Sequence, residues 1–203
     1  MDSKTKQIIR TKNSESFIIF FIIVLILTIS CSKKNRMIEK ESDVINIYQQ
    51  IIPATRFVGK IGYEWEEWFK EGWFFELFAL IPQDFQDQYE DYGAFLGLYG
   101  FDTNSSTYVY YIGMLLPENT TVPTGYEHID FPASTLGVGW AYGEATTVHN
   151  MYDVVLTALK DESYEIIIDE KGIMWCIERC AYPRYTDPDH KGNIILDFCY
   201  FVK

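Results

Sequence analysis

Basic residues are scarce in this chain. Only 17 Lys and Arg stand against 29 Asp and Glu, a formal net charge of -12 over 203 residues. Nucleic-acid binding needs basic surface against phosphate, so that class is disfavoured. No HExxH pair, Gly-rich phosphate loop or nucleophile elbow occurs, which removes the usual sequence signs of metalloprotease, nucleotide and serine-hydrolase chemistry. No apolar run is long enough to span a bilayer. The longest, Phe17 to Ile29, has 13 residues, against about 20 for a spanning helix. Cysteine is limited to four. Cys176 and Cys180 are four positions apart on one extended stretch, about 13 Å at the usual rise, so they cannot bridge each other without a kink. Either could face Cys199 across a hairpin. A zinc site from these thiols and His190 is disfavoured, because a strand lacks the short knuckle that gathers thiolates.

What is abundant is aromatic surface: 17% of the chain, with 15 Tyr and 5 Trp. Acid together with aromatic rings suits organic cations, which favour carboxylates and ring faces. The plainer reading of the acidity is solubility.

The chain reads as one globular domain with an appendage. Lys4, Lys6, Arg10 and Lys12 precede the apolar run, the layout of an export signal. The run ends in Leu27-Thr28-Ile29-Ser30-Cys31, which resembles a bacterial lipobox with Thr28 where Leu is usual. Cys31 is then the residue expected to be diacylated after removal of residues 1–30, and an uncleaved signal anchor is the alternative. Removal leaves 13 basic against 27 acidic residues, a net charge of -14. Residues 31–42 are charged and lack apolar periodicity, as in a tether beside a membrane surface. Residues 43–203 carry the globular pattern.

Within that domain Val44 to Val58 reads as a strand interrupted at Pro53. Tyr63 to Ile81 reads as a helix with Trp65, Trp68, Phe69, Trp73, Leu77 and Leu80 at three-and-four spacing. Gly72 weakens its middle, and Gln83 to Tyr92 is a polar connection. Gly93 to Phe101 and Thr107 to Leu116 follow as strands around a polar turn. The order then repeats. Tyr126 to Tyr142 is a strand broken near Pro132, Thr147 to Lys160 a helix, and Gly172 to Tyr182 with Asn193 to Val202 a hairpin. Two such halves predict an α+β fold of two pseudo-symmetric strand-helix-strand-strand modules.

The stretch Gly172 to Tyr182, GIMWCIERCAY, alternates so that Met174, Cys176, Glu178 and Cys180 share one face, and Trp175, Ile177 and Arg179 the other. Trp175 is expected to be core beneath a helix. A carboxylate on an apolar face is either wet at an edge or placed to meet a cation, because an unpaired buried charge is costly. The bland alternative is an ordinary ion pair with Arg179, Arg184 or a lysine.

From about Tyr48 to Lys203 the chain resembles the GyrI-like small-molecule-binding domain, also called the AraC-type effector-binding domain. The resemblance rests on IIPATRFVGKIG, EGWFFELFALI, TYVYYIGMLL, TLGVGWAYGE, MWCIERC and GNIILDFCYFVK, in that order. It implies antiparallel sheets forming a concave ligand cleft between the modules. Many relatives carry a Glu on the penultimate strand that faces this cleft and pairs with cations, which corresponds to Glu178. Cys180 stands where Tyr is common. Tyr110, in Tyr110-Tyr111-Ile112-Gly113, matches the Tyr-x-x-Gly strand, and Trp140 lies on the strand expected to face the cleft. The expectation is a lipid-anchored extracytoplasmic protein that binds a small hydrophobic cation through Glu178, Tyr110 and Trp140. No cofactor and no metal are expected. The tether is too short for the DNA-binding domain that precedes many relatives. A hydrolase using Glu178 as acid or base, an interaction lipoprotein without a ligand, and a haem binder like fold relatives, which would need an accessible His in the cleft, are the rival readings; His128, His149 and His190 show no ligand spacing.

Overall fold

The computed structural model describes residues 42–88 and 94–203. The expected tether, export signal and Cys31 lie outside these residues. Eight antiparallel strands form one sheet: β1 (Asp43–Ile52), β2 (Thr55–Ile61), β3 (Phe95–Asp102), β4 (Thr107–Pro117), β5 (Glu127–Phe131), β6 (Ser134–Glu144), β7 (Ile173–Cys180) and β8 (Asn193–Val202). Their spatial order is β1-β6-β8-β7-β3-β4-β2-β5. The helices are α1 (Trp65–Lys70), α2 (Trp73–Phe78), α3 (Gln83–Gln88), α4 (Ala145–Val148) and α5 (Tyr152–Asp161).

The repeat is plain in this order. Strands β1 to β4 and β5 to β8 are equivalent about an axis between β3 and β7, as the two-module expectation required. The edge strands are exchanged: β1 pairs with β6 of the second module and β5 with β2 of the first. Pro53 and Pro132 fall at the breaks between β1 and β2 and between β5 and β6, where a residue without an N–H costs no ladder bond.

Each expected long helix is two short ones. Gly72 adopts φ 75° between α1 and α2, a left-handed conformation that glycine enters without Cβ strain. In the second module His149 caps the end of α4 and Met151 the start of α5. The stretch Gln83 to Gln88, read as connection, is helical.

The helices cover the sheet in two groups on one face. Trp68, Phe74 and Leu77 pack on Val58, Ile112, Met114 and Leu116. Val148, Val155 and Leu159 pack on Ala141, Cys176, Leu196 and Phe198. On the other face the sheet curls, so that Phe131 of edge strand β5 stacks on Phe201 at 4.6 Å and lies edge-on to Trp175 at 6.0 Å. That side closes over its own core of Phe57, Leu98, Val138, Ile177 and Cys199. Trp175 belongs to it, opposite Glu178 as alternation required, but the helices lie over the face of Glu178. Trp175 is therefore not beneath a helix; it packs on Phe131, and its indole N–H donates to Asp169 Oδ2 at 2.9 Å.

The three cysteines of the domain are free and buried. Ile177 is the register partner of Cys199, which puts Cys199 on the face opposite Cys176 and Cys180. Burial pushes the thiols of Cys176 and Cys180 well up.

Candidate functional site

Between the two helix groups the middle of the sheet is left open. Trp65, Phe95 and Tyr99 pack against both groups, and beside them lies a cleft of about 480 Å³, within the usual range for small-molecule sites. Its walls are mostly rings: Tyr63, Trp65, Tyr99, Tyr108, Tyr110 and Tyr152. His149, Asn150 and Glu178 complete it.

Glu178 is 2% exposed and fully engaged. Tyr110 and Tyr152 each donate an O–H to Oε2 at 2.7 Å. His149 Nδ1 meets Oε1. Burial raises the pKa of this carboxyl, but the contacts from His149, Tyr110 and Tyr152 outweigh it and hold the group below the ordinary glutamate value. Glu178 therefore stays ionised at neutral pH. Burial and the adjacent carboxylate push both phenols far up, so they remain donors.

Space for this arrangement comes from Gly97, the register partner of Glu178 on β3. A Cβ at Gly97 would lie 2.1 Å from the Tyr110 hydroxyl and 3.0 Å from Glu178 Oε2. The outer rings are layered: Tyr63 stacks on Tyr110 at 4.8 Å and 6°, and Tyr108 on Tyr99 at 5.4 Å. Tyr63 and Tyr108 are exposed at the mouth. The result is one buried negative charge at the end of an aromatic funnel.

Of the residues expected to bind ligand, Glu178 and Tyr110 meet in the cleft and Trp140 does not. On β6 the positions facing α5 are Gly137, Gly139 and Ala141; a Cβ at Gly139 would already meet Val155 at 2.4 Å. Trp140 points the other way, edge-on to Tyr48 at 5.9 Å and beneath the Arg184 guanidinium at 5.2 Å.

The suggested ion-pair partners of Glu178 are engaged on that same far face. Arg179 Nε donates to Asp197 Oδ2 at 2.8 Å, and Arg184 Nε to Oδ1 at 2.8 Å. Arg179 also reaches Gln50 Oε1 at 2.7 Å. Asp197 is fully buried, so this cluster fixes β1, β7 and β8 together and takes no part in the cleft.

The sequence reading missed His149, Tyr152 and the ring pairs. Tyr152 lies within the stretch expected to be a helix, where its hydroxyl is the available sign, since a buried Tyr O–H finds a partner. His149 gave no sign: its partner is 29 residues away and it lies in a helix break.

Comparison with models of known protein families and with curated proteins finds no match. Solved structures do match. SAV2435 bound to tetraphenylphosphonium superposes with a TM-score of 0.54 at 17% identity, over 78% of this chain and 94% of that one. A protein of Staphylococcus aureus MU50 assigned to bacterial transcription regulation gives 0.50 at 16%, over 78% and 98%. The fold is GyrI-like. In this GyrI-like domain the modules, their antiparallel sheet and the position of Glu178 on the penultimate strand agree with the sequence reading, whereas the wall expected from Trp140 is supplied by Tyr152 and His149.

Proposed function

We propose that the domain binds a small lipophilic cation in the cleft ending at Glu178. The observation that carries this reading is the buried, ionised carboxylate surrounded by ring faces. Each cation-ring contact adds about 0.5–2 kcal/mol depending on desolvation, so several rings together rival the carboxylate. The proximity of charge and rings favours delocalised cations that need no hydrogen-bond acceptor, because three donors already occupy Glu178. The fold it shares with a tetraphenylphosphonium complex supports the same class.

Tetraphenylphosphonium is thus the probe. At about 100 times its dissociation constant it stabilises by about 2.7 kcal/mol, a rise in Tm of roughly 5–10 °C for a domain of this size. No rise with any lipophilic cation sinks the reading. The contact of Glu178 with His149 also offers a proton-transfer pair of the kind a hydrolase uses. Turnover of a bound compound that disappears in Glu178→Gln would favour that second reading.

The same proposal places the domain outside the cytoplasm on a lipid anchor at Cys31, with residues 32–42 as tether. Replacing Cys31 by Ala should move the full-length protein from the membrane to the soluble fraction. Retention on membranes after this change favours an uncleaved anchor.

A further inference from the structure

We infer that His149 is a built-in counter-ion for Glu178 and that a ligand cation enters the cleft in exchange for the histidine proton. The inference rests on the reading of Glu178 as the anchor. It begins from the two nitrogens of one ring. Nδ1 is on Glu178 Oε1, and Nε2 lies 3.4 Å from the Tyr185 hydroxyl. A carboxylate accepts only, so Nδ1 keeps its hydrogen in either protonation state. Nε2 is then the atom that gains or loses the proton. The Tyr185 hydroxyl can face both forms, accepting from Nε2–H in the imidazolium and donating to Nε2 in the imidazole. The ring need not move. It is 37% exposed, so the proton has a way to bulk water, whereas Glu178 beneath it has none.

The other groups around the ring do not compete for this role. Glu178, despite its burial, is held below the ordinary glutamate value by the hydrogen bond and charge of His149 and by the hydrogen bonds of Tyr110 and Tyr152. Burial keeps the phenols of Tyr110, Tyr152 and Tyr185 and the thiol of Cys180 protonated. No Lys or Arg is among the cleft residues. The imidazole is the one group among them with a ring nitrogen, Nε2, free to take a second proton while the other keeps its bond to Glu178.

The charge of the cleft therefore has two values. With His149 as imidazolium, the pair is neutral, and a third charge entering the rings meets a cation at the carboxylate. With His149 as imidazole, the cleft carries a full negative charge against an unchanged set of hydrogen bonds. A monovalent cation restores neutrality only in the second state. Binding thus releases one proton to solvent where His149 starts as the imidazolium and none where it starts as the imidazole. Affinity rises with pH by about tenfold per unit while one proton is released for each cation bound, and levels where none is. Selection follows from the same exchange: at low pH the cleft favours neutral aromatic molecules, at high pH cations.

The test uses tetraphenylphosphonium, which has no titratable group, so any pH dependence belongs to the protein. Full-length protein in a non-ionic detergent is titrated calorimetrically between pH 5 and 8, in buffers of different ionisation enthalpy, which gives the number of protons released. The expected result is up to one proton released in the acid arm, with affinity falling about tenfold per unit there. In His149→Gln, whose amide can still donate to Oε1, release is zero and affinity varies less than about twofold across the range. Proton release in the wild type needs no variant and stands even if His149→Gln folds poorly. Binding with no proton release and no pH dependence overturns the exchange and leaves the cation site intact. Release that persists in His149→Gln assigns the proton elsewhere and also overturns it. No binding at any pH removes the cation site and the exchange together.

Discussion

Replacing Glu178 by Gln abolishes the thermal stabilisation that tetraphenylphosphonium gives the wild-type protein. At a separation of about 5 Å and an effective dielectric of about 20, the carboxylate contributes about 3 kcal/mol of attraction, on the order of a hundredfold in affinity. The rings remain in the variant, so neutral aromatic compounds should bind it as well as they bind the wild type. Equal shifts of both proteins by cations would show that Glu178 is not the anchor. The variant is also less stable without ligand, because Tyr110, Tyr152 and His149 are arranged around a charge. The sign with pH is fixed by the lowered pKa. A carboxyl whose folded value lies below its unfolded value stabilises fully above the unfolded value and loses that contribution as pH falls through the folded one. The stability gap between wild type and Glu178→Gln, read from urea midpoints, should therefore be full at neutral pH and narrow below about pH 4.5.

Gly97→Ala is the second change with a large expected effect, although it adds one methyl group. The new Cβ would occupy the place of the Tyr110 hydroxyl, 2.1 Å away, with the ring carbon at 2.6 Å. Tyr110 must leave, losing its bond to Glu178 and its stacking on Tyr63. Overpacking costs about 1–3 kcal/mol, and a hydrogen bond to a charged acceptor about 1.5–3 kcal/mol. The two overlap, so a total of roughly 2–5 kcal/mol in urea unfolding is expected, with cation affinity reduced as well. The cost should shrink in a Tyr110→Ala background, where nothing remains to be displaced. If Gly97→Ala leaves the urea midpoint of the wild type unchanged, Tyr110 does not sit where the geometry puts it.

What the sequence made legible follows from which contacts are local. Alternation in Met174 to Cys180 separated Glu178 from Trp175 and Arg179 correctly, because a strand has only two sides. The prolines at 53 and 132 marked the strand breaks for an equally local reason. The error at Trp140 was also local and avoidable: Gly137, Gly139, Ala141 and Gly143 alternate with the larger residues of β6, so the smooth face was visible and belonged under a helix. The divided helices were less visible, since Gly72 hinted at one break and nothing marked the other. His149 was not legible at all. Its role depends on Glu178 and Tyr185 arriving from another strand and loop, and no spacing in the chain encodes that meeting.

The exchange of the two edge strands reaches beyond the cleft, into how the molecule comes to exist. Asp43 at the start of β1 finds its partner at Tyr142, and β5 turns back to cover β2. Neither half owns a complete sheet, so neither is an independent folding unit. A fragment ending before Ser134 has a first strand with no place to pair and a bare edge on β3, whose partner β7 is missing, the condition that invites intermolecular strand addition. Such remote pairings give the chain a high contact order, with loop-closure entropy spent before the reward of contact arrives. Folding on the order of milliseconds to seconds is the expected kinetic signature of this topology.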